Sequence, residues 1–176
     1  MATKMVTLPT GIDSQAFAND DGARFKQNFG IPTDKKLLLS VSRVASEKNI
    51  PAIIVAYALL RQSRDDIHLV IAGEGPAKNQ CVALAVKLKL GKSISFVGYL
   101  DRSTQLVDCY HVADIFVFSS KTETQGLVLP DAIASGTAVV SVAEMGNKDV
   151  LTEELGVKIA EGCPTDFSTK ISEVLE

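Results

Sequence analysis

Asp114-Ile115-Phe116-Val117-Phe118 runs into Ser119-Ser120-Lys121-Thr122-Glu123-Thr124-Gln125-Gly126-Leu127-Val128-Leu129-Pro130-Asp131-Ala132. The opening run has the length and the aromatic and β-branched content of a buried strand, and the residues past Gly126 repeat with helical spacing. The stretch therefore reads as strand, loop and helix start. A helix N-terminus presents unpaired N–H groups and partial positive charge, so the backbone at Gln125, Gly126 and Leu127 is placed to receive a phosphate. Glu123 and Asp131, which bracket the loop, would repel a phosphate and suit the hydroxyls of a sugar. With a helix beginning near Gly126, Asp131 stands about 8 Å further along the axis at a rise of about 1.5 Å per residue. An extended anionic ligand with hydroxyls at both ends fits that span.

Working outward, the rest of the chain repeats the same alternation. Lys36-Leu37-Leu38-Leu39-Ser40-Val41-Ser42 is apolar on both faces, as a strand in a covered parallel sheet must be. Arg43-Val44-Ala45-Ser46-Glu47-Lys48 follows, then a helix with Asn49 as N-cap, Pro51 in its first turn and Ile50, Ile53, Ile54, Tyr57 and Leu60 on its buried face. Arg43 and Lys48 thus flank a loop at the carboxyl end of a strand, where open α/β sheets bind ligands. The next unit is a strand over residues 67–72, the turn Gly73-Glu74-Gly75-Pro76 and a helix over about residues 77–90, with Val82, Ala85 and Leu88 on one side and Gly91 closing it. A strand at residues 94–98 leads through Tyr99-Leu100-Asp101 into a helix ending near His111, capped by Asp101 or Ser103. Beyond the central stretch the sequence predicts a strand at residues 138–141, a weaker helix over residues 148–154, a strand at 157–159 and a helix through Leu175. Near the start, residues 5–13 read as a short strand stopped by Pro9 and Gly11, and residues 22–29 as a short helix ended by Gly30 and Pro32. Strands alternating with amphipathic helices imply βαβ units: a Rossmann-like, doubly wound α/β domain with a parallel sheet of about six strands.

Composition excludes several alternatives. The 176 residues fit one domain, and 46% hydrophobic and 22% charged residues are ordinary globular values, which argues against disorder or a fibrous architecture. A net charge of −3 argues against nucleic acid as a partner and against broad binding to anionic membrane. Cys81, Cys109 and Cys163 are far apart, odd in number and without metal-ligand spacing, which fits reduced thiols acting as small apolar side chains. Residues 1–5 lack the apolar core of a signal peptide and no apolar run approaches the length of a membrane span, so a cytoplasmic location is expected. His68 and His111 belong to no motif and read as structural. The turn at Gly73-Glu74-Gly75-Pro76 lacks the third glycine of the dinucleotide fingerprint and reads as a strand-to-helix turn that needs glycine backbone angles.

The segment Glu123-Thr124-Gln125-Gly126-Leu127-Val128-Leu129-Pro130-Asp131-Ala132 resembles the donor-binding domain of the family-4 retaining glycosyltransferases of the GT-B fold, which carry Glu, seven residues, Glu in this setting. Arg43 and Lys48 match a second family segment, with Ser42 where glycine is usual. Gly73-Glu74-Gly75-Pro76 and Gly98-Tyr99-Leu100 match two more, and Pro9-Thr10-Gly11-Ile12-Asp13 is similar to the segment that links the two GT-B halves. The resemblance implies one nucleotide-sugar-binding domain over residues 1–176, the C-terminal half of a transferase whose acceptor-binding half lies upstream and outside this sequence. It assigns Arg43, Lys48, Gly126 and Leu127 to the donor diphosphate, Glu123, Thr124 and Gln125 to the transferred sugar, Asp131 to the ribose and the main chain at Tyr99 and Leu100 to the base. Glu123, Arg43 and Lys48 then carry catalysis, because a forked guanidinium and a compact ammonium neutralise the diphosphate most strongly as it departs.

The family's transfer uses neither a metal nor any other cofactor, and its co-substrate is a nucleoside diphosphate sugar, here expected to be a UDP-hexose. Asp131 replaces the family's second Glu. Losing one methylene withdraws the carboxylate by about one C–C bond and would weaken donor affinity around tenfold. The Ser-Lys-Thr-Glu-Thr-Gln-Gly stretch and residues 143–151 are similar to the diacylglycerol glucosyltransferase-like branch, and a lipid acceptor would bring the full-length enzyme to a membrane surface. Two other readings stay open on the residues alone: half of a GT-B nucleotide-sugar epimerase, and a non-catalytic nucleotide-sugar-binding module.

Overall fold

The computed structural model describes residues 22–102, 104–122, 127–142 and 156–176. Its centre is a six-stranded sheet, β1 (Lys36–Val41), β2 (Ile67–Ala72), β3 (Ile94–Gly98), β4 (Ile115–Phe118), β5 (Ala138–Val142) and β6 (Val157–Ala160), in the spatial order β3-β2-β1-β4-β5-β6. Every neighbouring pair is parallel. The helices are α1 (Gly22–Asn28), α2 (Ile50–Leu60), α3 (Lys78–Lys87), α4 (Gln105–Val112), α5 (Val128–Ala134) and α6 (Pro164–Leu175).

Side chains alternate across each strand, so a fully apolar strand feeds two cores at once. Leu38 of β1 joins Ile115 and Val117 of β4 in the core under α2, α3 and α6, while Leu37 and Leu39 join Phe116 and Phe118 in the core under α1, α4 and α5. This is the expected doubly wound arrangement, three layers with the sheet in the middle. The strand order reverses between β1 and β4, and the loops that leave their carboxyl ends diverge to opposite faces, opening a crevice there.

Most predicted elements fall where the periodicity put them, and the departures have local causes. α5 begins at Val128, with Leu127 as its N-cap, rather than near Gly126. Asn49 occupies the N-cap position of α2 with φ at 51°, yet its side chain makes no cap hydrogen bond; its carbonyl accepts from Ala52 N–H instead. Along α3 the buried residues are Cys81 and Ala85, and Val82 is 38% exposed because the helix is rotated toward those two. That helix is closed by Lys89 at φ 56°, with Lys89 N–H bonded to Val86 and Leu90 N–H to Ala85, a left-handed C-terminal stop two residues earlier than Gly91. The N-cap position of α4 falls on Thr104, while Asp101 accepts from Thr104 Oγ1; Ser103 lies outside the described residues. Cys81 and Cys109 are buried free thiols as expected, but Cys163 is exposed and its sulfur accepts from Asp166 N–H at the start of α6. The strand predicted at residues 5–13 and the helix at 148–154 also lie outside the described residues.

His68 is structural: it is 2% exposed on β2, with Nε2 and Ser95 Oγ 2.9 Å apart. Burial, reinforced by the charge of Lys26, lowers its pKa and keeps the ring neutral.

Candidate functional site

The loops that leave the carboxyl ends of β1, β2 and β3 are locked together through their backbones. Ser42 N–H donates to Ala72 O at 3.1 Å, Val44 N–H to Glu74 O at 2.9 Å, Ala77 N–H to Val44 O at 3.0 Å and Gly73 N–H to Gly98 O at 2.6 Å. Such closeness leaves no room for side chains at the turn. A Cβ on Gly73, whose φ is +130°, would sit 1.9 Å from the Ser42 carbonyl oxygen, and one on Gly75 would sit 2.2 Å from that of Val44. The Gly-Glu-Gly-Pro turn is therefore a scaffold that fixes the path of the chain through Arg43.

A second set of bonds fixes Lys48. Its segment, a short 3-10 turn at Ser46–Lys48, is held against the end of β4 by hydroxyls from the neighbouring strand. Ser119 Oγ lies 2.8 Å from Lys48 O and 2.9 Å from Asn49 O and shares its one proton between them, and Ser120 Oγ reaches Glu47 O at 3.5 Å. Both serines are buried, and these carbonyls give their hydroxyls the acceptors that burial denies them in water. The consequence is that the cationic segment after β1 and the loop after β4 meet at the point where the strand order reverses.

A cleft of about 500 Å³ opens beside this junction, over the carboxyl ends of β1, β2 and β3. Val41, Ala72, Leu100 and Leu106 make its apolar walls, and Arg43, Glu74, Tyr99 and Arg102 supply its polar and aromatic rim. Glu74 is tied to Lys78 at 2.6 Å. Arg43 and Arg102 have no salt-bridge partner among the described residues. Tyr99 is 79% exposed at the mouth, whereas Leu100 is 5% exposed and anchors the loop in the core.

Of the residues singled out in the sequence, Arg43, Tyr99 and Leu100 share the cleft wall. Lys48 and Asp131 are not among its described lining residues; Lys48 lies at the reversal point, and Asp131 in the first turn of α5. Leu127 is the residue before α5. Glu123, Thr124, Gln125 and Gly126 lie outside the described residues. Asp131 is 7% exposed, and burial raises its pKa while Arg102 opposes the rise. Among the described residues no group of three or more His, Cys, Asp and Glu side chains could hold a metal ion, and no helix is long and apolar enough to cross a membrane.

The sequence reading did not single out Arg102, which lines the cleft, or the two serines, which hold the Lys48 segment. Arg102 has a legible cue, its position four residues past the end of β3 in a loop at the carboxyl edge. Ser119 and Ser120 have none, because their partners are backbone carbonyls some seventy residues away in the chain.

Comparison with known proteins adds a third line to the sequence and the geometry. Residues 21–176 match the family described as Glycosyl transferases group 1. The chain is 36% identical over 139 residues to the alpha-monoglucosyldiacylglycerol synthase of Streptococcus pneumoniae, covering 76% of this chain and 31% of that protein. It is 31% identical over 156 residues to a GDP-mannose-dependent alpha-(1-6)-phosphatidylinositol dimannoside mannosyltransferase of Mycobacterium tuberculosis, covering 88% of this chain and 40% of that protein. The chain thus spans between about a third and two-fifths of the length of these curated relatives. Among solved structures, Anabaena HepE in complex with UDP and glucose superimposes with a TM-score of 0.82 at 16% identity, over 94% of this chain and 46% of that one, a likeness of fold.

Proposed function

The chain belongs to the glycosyl transferases group 1 family, and from that premise we propose that it is the donor-binding half of a retaining hexosyltransferase that takes its sugar from a nucleoside diphosphate. The donor is a UDP-hexose in this reading. Arg43 and Lys48 hold the diphosphate, joined by the backbone near Gly126 and Leu127. Glu123, with Thr124 and Gln125, receives the hydroxyls of the sugar, Asp131 those of the ribose, and the main chain at Tyr99 and Leu100 the base. The acceptor is held by a further domain.

One observation carries the reading: the Ser119 contacts with the Lys48 and Asn49 carbonyls bring the backbone of the Lys48 segment and the loop after β4 together at the crevice where the strand order reverses. In open α/β sheets a ligand binds at that crevice. As the bond from sugar to diphosphate breaks, negative charge grows on the departing oxygen. Fixed cations stabilise that state more than the ground state, which is how they accelerate transfer. The sugar, left electron-poor, is held by the Glu123 carboxylate, which accepts hydrogen bonds from its hydroxyls, and transfer with retention takes place on the face from which the diphosphate leaves.

Calorimetry of the purified chain with UDP and with uridine tests the site. UDP is expected to bind more tightly, and Arg43→Ala or Lys48→Ala to weaken UDP by roughly ten- to a hundredfold while leaving uridine unchanged. Equal affinities for uridine and UDP would show that no anion pocket exists.

A further inference from the structure

The cleft lies to one side of the reversal point. Its floor is the carboxyl ends of β1, β2 and β3, whereas Lys48 and the loop after β4 sit at the β1–β4 junction. A nucleotide whose phosphates occupy that junction extends its nucleoside away from β4, across β1 and β2, into the cleft. Val41, Ala72, Leu100 and Leu106 offer a flat heterocycle apolar surface on which to rest. Only a few polar side chains then reach the ring's edge. Glu74 is already engaged by Lys78, and Arg43 starts from β1, nearest the phosphates. Ser42 and Tyr99 line the cleft with hydroxyls that both donate and accept, whereas Arg102, on the loop after β3 and without a salt-bridge partner among the described residues, only donates.

We propose that Arg102 selects the base of the bound nucleotide, favouring a ring that carries an exocyclic carbonyl, uracil or guanine, over adenine. This inference rests on the nucleotide-sugar reading above. A guanidinium is a donor only, with its N–H groups in a rigid fork. It pairs with the O4 of uracil or with the O6 and N7 of guanine, but meets the N6 amino donors of adenine, where two sets of donors face each other. The same charge faces the buried Asp131, so Arg102 also stands close to the carboxylate assigned to the ribose.

Competition calorimetry with UDP, GDP and ADP reads the assignment directly. The wild-type chain is expected to bind UDP or GDP at least about tenfold more tightly than ADP. Arg102→Met, which keeps the length of the side chain and removes the donors, should bring the three within about twofold by weakening the carbonyl-bearing ligand and leaving ADP unchanged. Arg102→Lys keeps the charge and loses the fork, and should likewise lose the ratio. Pyrophosphate binding and thermal unfolding like those of the wild type identify a variant that is folded with its phosphate site intact. An unchanged ratio in Arg102→Met overturns the inference, and so does an equal loss for all three ligands, which would make Arg102 a phosphate contact. If no diphosphate binds the wild-type chain, the nucleotide-sugar reading falls, and this inference with it.

Discussion

At the amino-terminal end of the sheet Lys36 is held by Asp114 at 2.8 Å, Arg64 by Asp66 at 2.7 Å and Lys35 by Asp34 at 3.3 Å. At the carboxyl-terminal end Arg43 and Arg102 line a cleft and have no such partner among the described residues. Both rims belong to one sheet and are built by the same kind of loop, so the contrast is not one of architecture. Paired cations close the lower rim: the Arg64 hydrogen bond beside Asp66 lowers that carboxyl to a pKa of about 2. The upper rim leaves its guanidinium groups without a salt bridge among the described residues, although the charge of Arg102 acts on Asp131. Its rigidity comes from backbone bonds and absent side chains more than from ion pairs, since the Glu74–Lys78 pair there is exposed. A site that must exchange ligands gains from that division, since a cation locked to a carboxylate has to break one bond before it makes another.

The comparison breaks most severely at Gly73. Gly73→Ala puts a methyl group 1.9 Å from the Ser42 carbonyl oxygen on a backbone with φ of +130°, so the loops after β1 and β2 must separate. Urea unfolding is expected to register a loss of about 3 kcal/mol or more, and UDP binding should fall with it.

Asp131 tests the upper rim more gently and with opposite signs for stability and binding. Because burial raises its folded pKa above that of the unfolded chain, the ionised carboxylate destabilises the fold, a cost that appears as pH rises through the folded pKa and vanishes below the ordinary value of 3.8. Asp131→Asn is therefore expected to raise the melting temperature by about 2 °C at pH 7 and to leave it unchanged near pH 3, while weakening UDP about tenfold. Calorimetric scans at the two pH values, with a UDP titration at pH 7, measure both.

The smallest effect belongs to the lower rim. Lys36→Met removes an exposed pair with Asp114, and neither the melting temperature nor UDP affinity is expected to move appreciably. A loss of UDP affinity there would show that the lower rim's charges also act on the ligand, and the contrast between the two ends would fail.

Much of this was legible in the sequence for one reason: periodicity reports burial. β2 and β3 fall on the residues predicted, and Ile50, Ile53, Ile54, Tyr57 and Leu60 are all buried on α2. The errors cluster at helix ends and faces. Lys89 could take a left-handed stop expected of Gly91, and Val82 lost its place in the core to Cys81, because such choices turn on neighbours distant in the chain. Arg43 and Asp131 were singled out by their places after predicted strands together with the family resemblance, and the structure puts Arg43 on the cleft wall and Asp131 in the first turn of α5. Arg102 was not singled out, since an arginine in a loop has no pattern of its own.

The sequence by itself determined that strands and helices alternate, that the strand over residues 36–42 is covered on both faces, and that Arg43 and Lys48 sit in a loop following a strand, because local spacing and side-chain chemistry suffice for those. Only the tertiary structure decided which loops are neighbours. Strand order placed β4 against β1, the Ser119 hydroxyl drew the Lys48 segment to their junction, and the packing of α5 buried Asp131. Each depends on contacts between residues far apart in the chain, and the energy of such a contact is set by what the rest of the fold brings within reach.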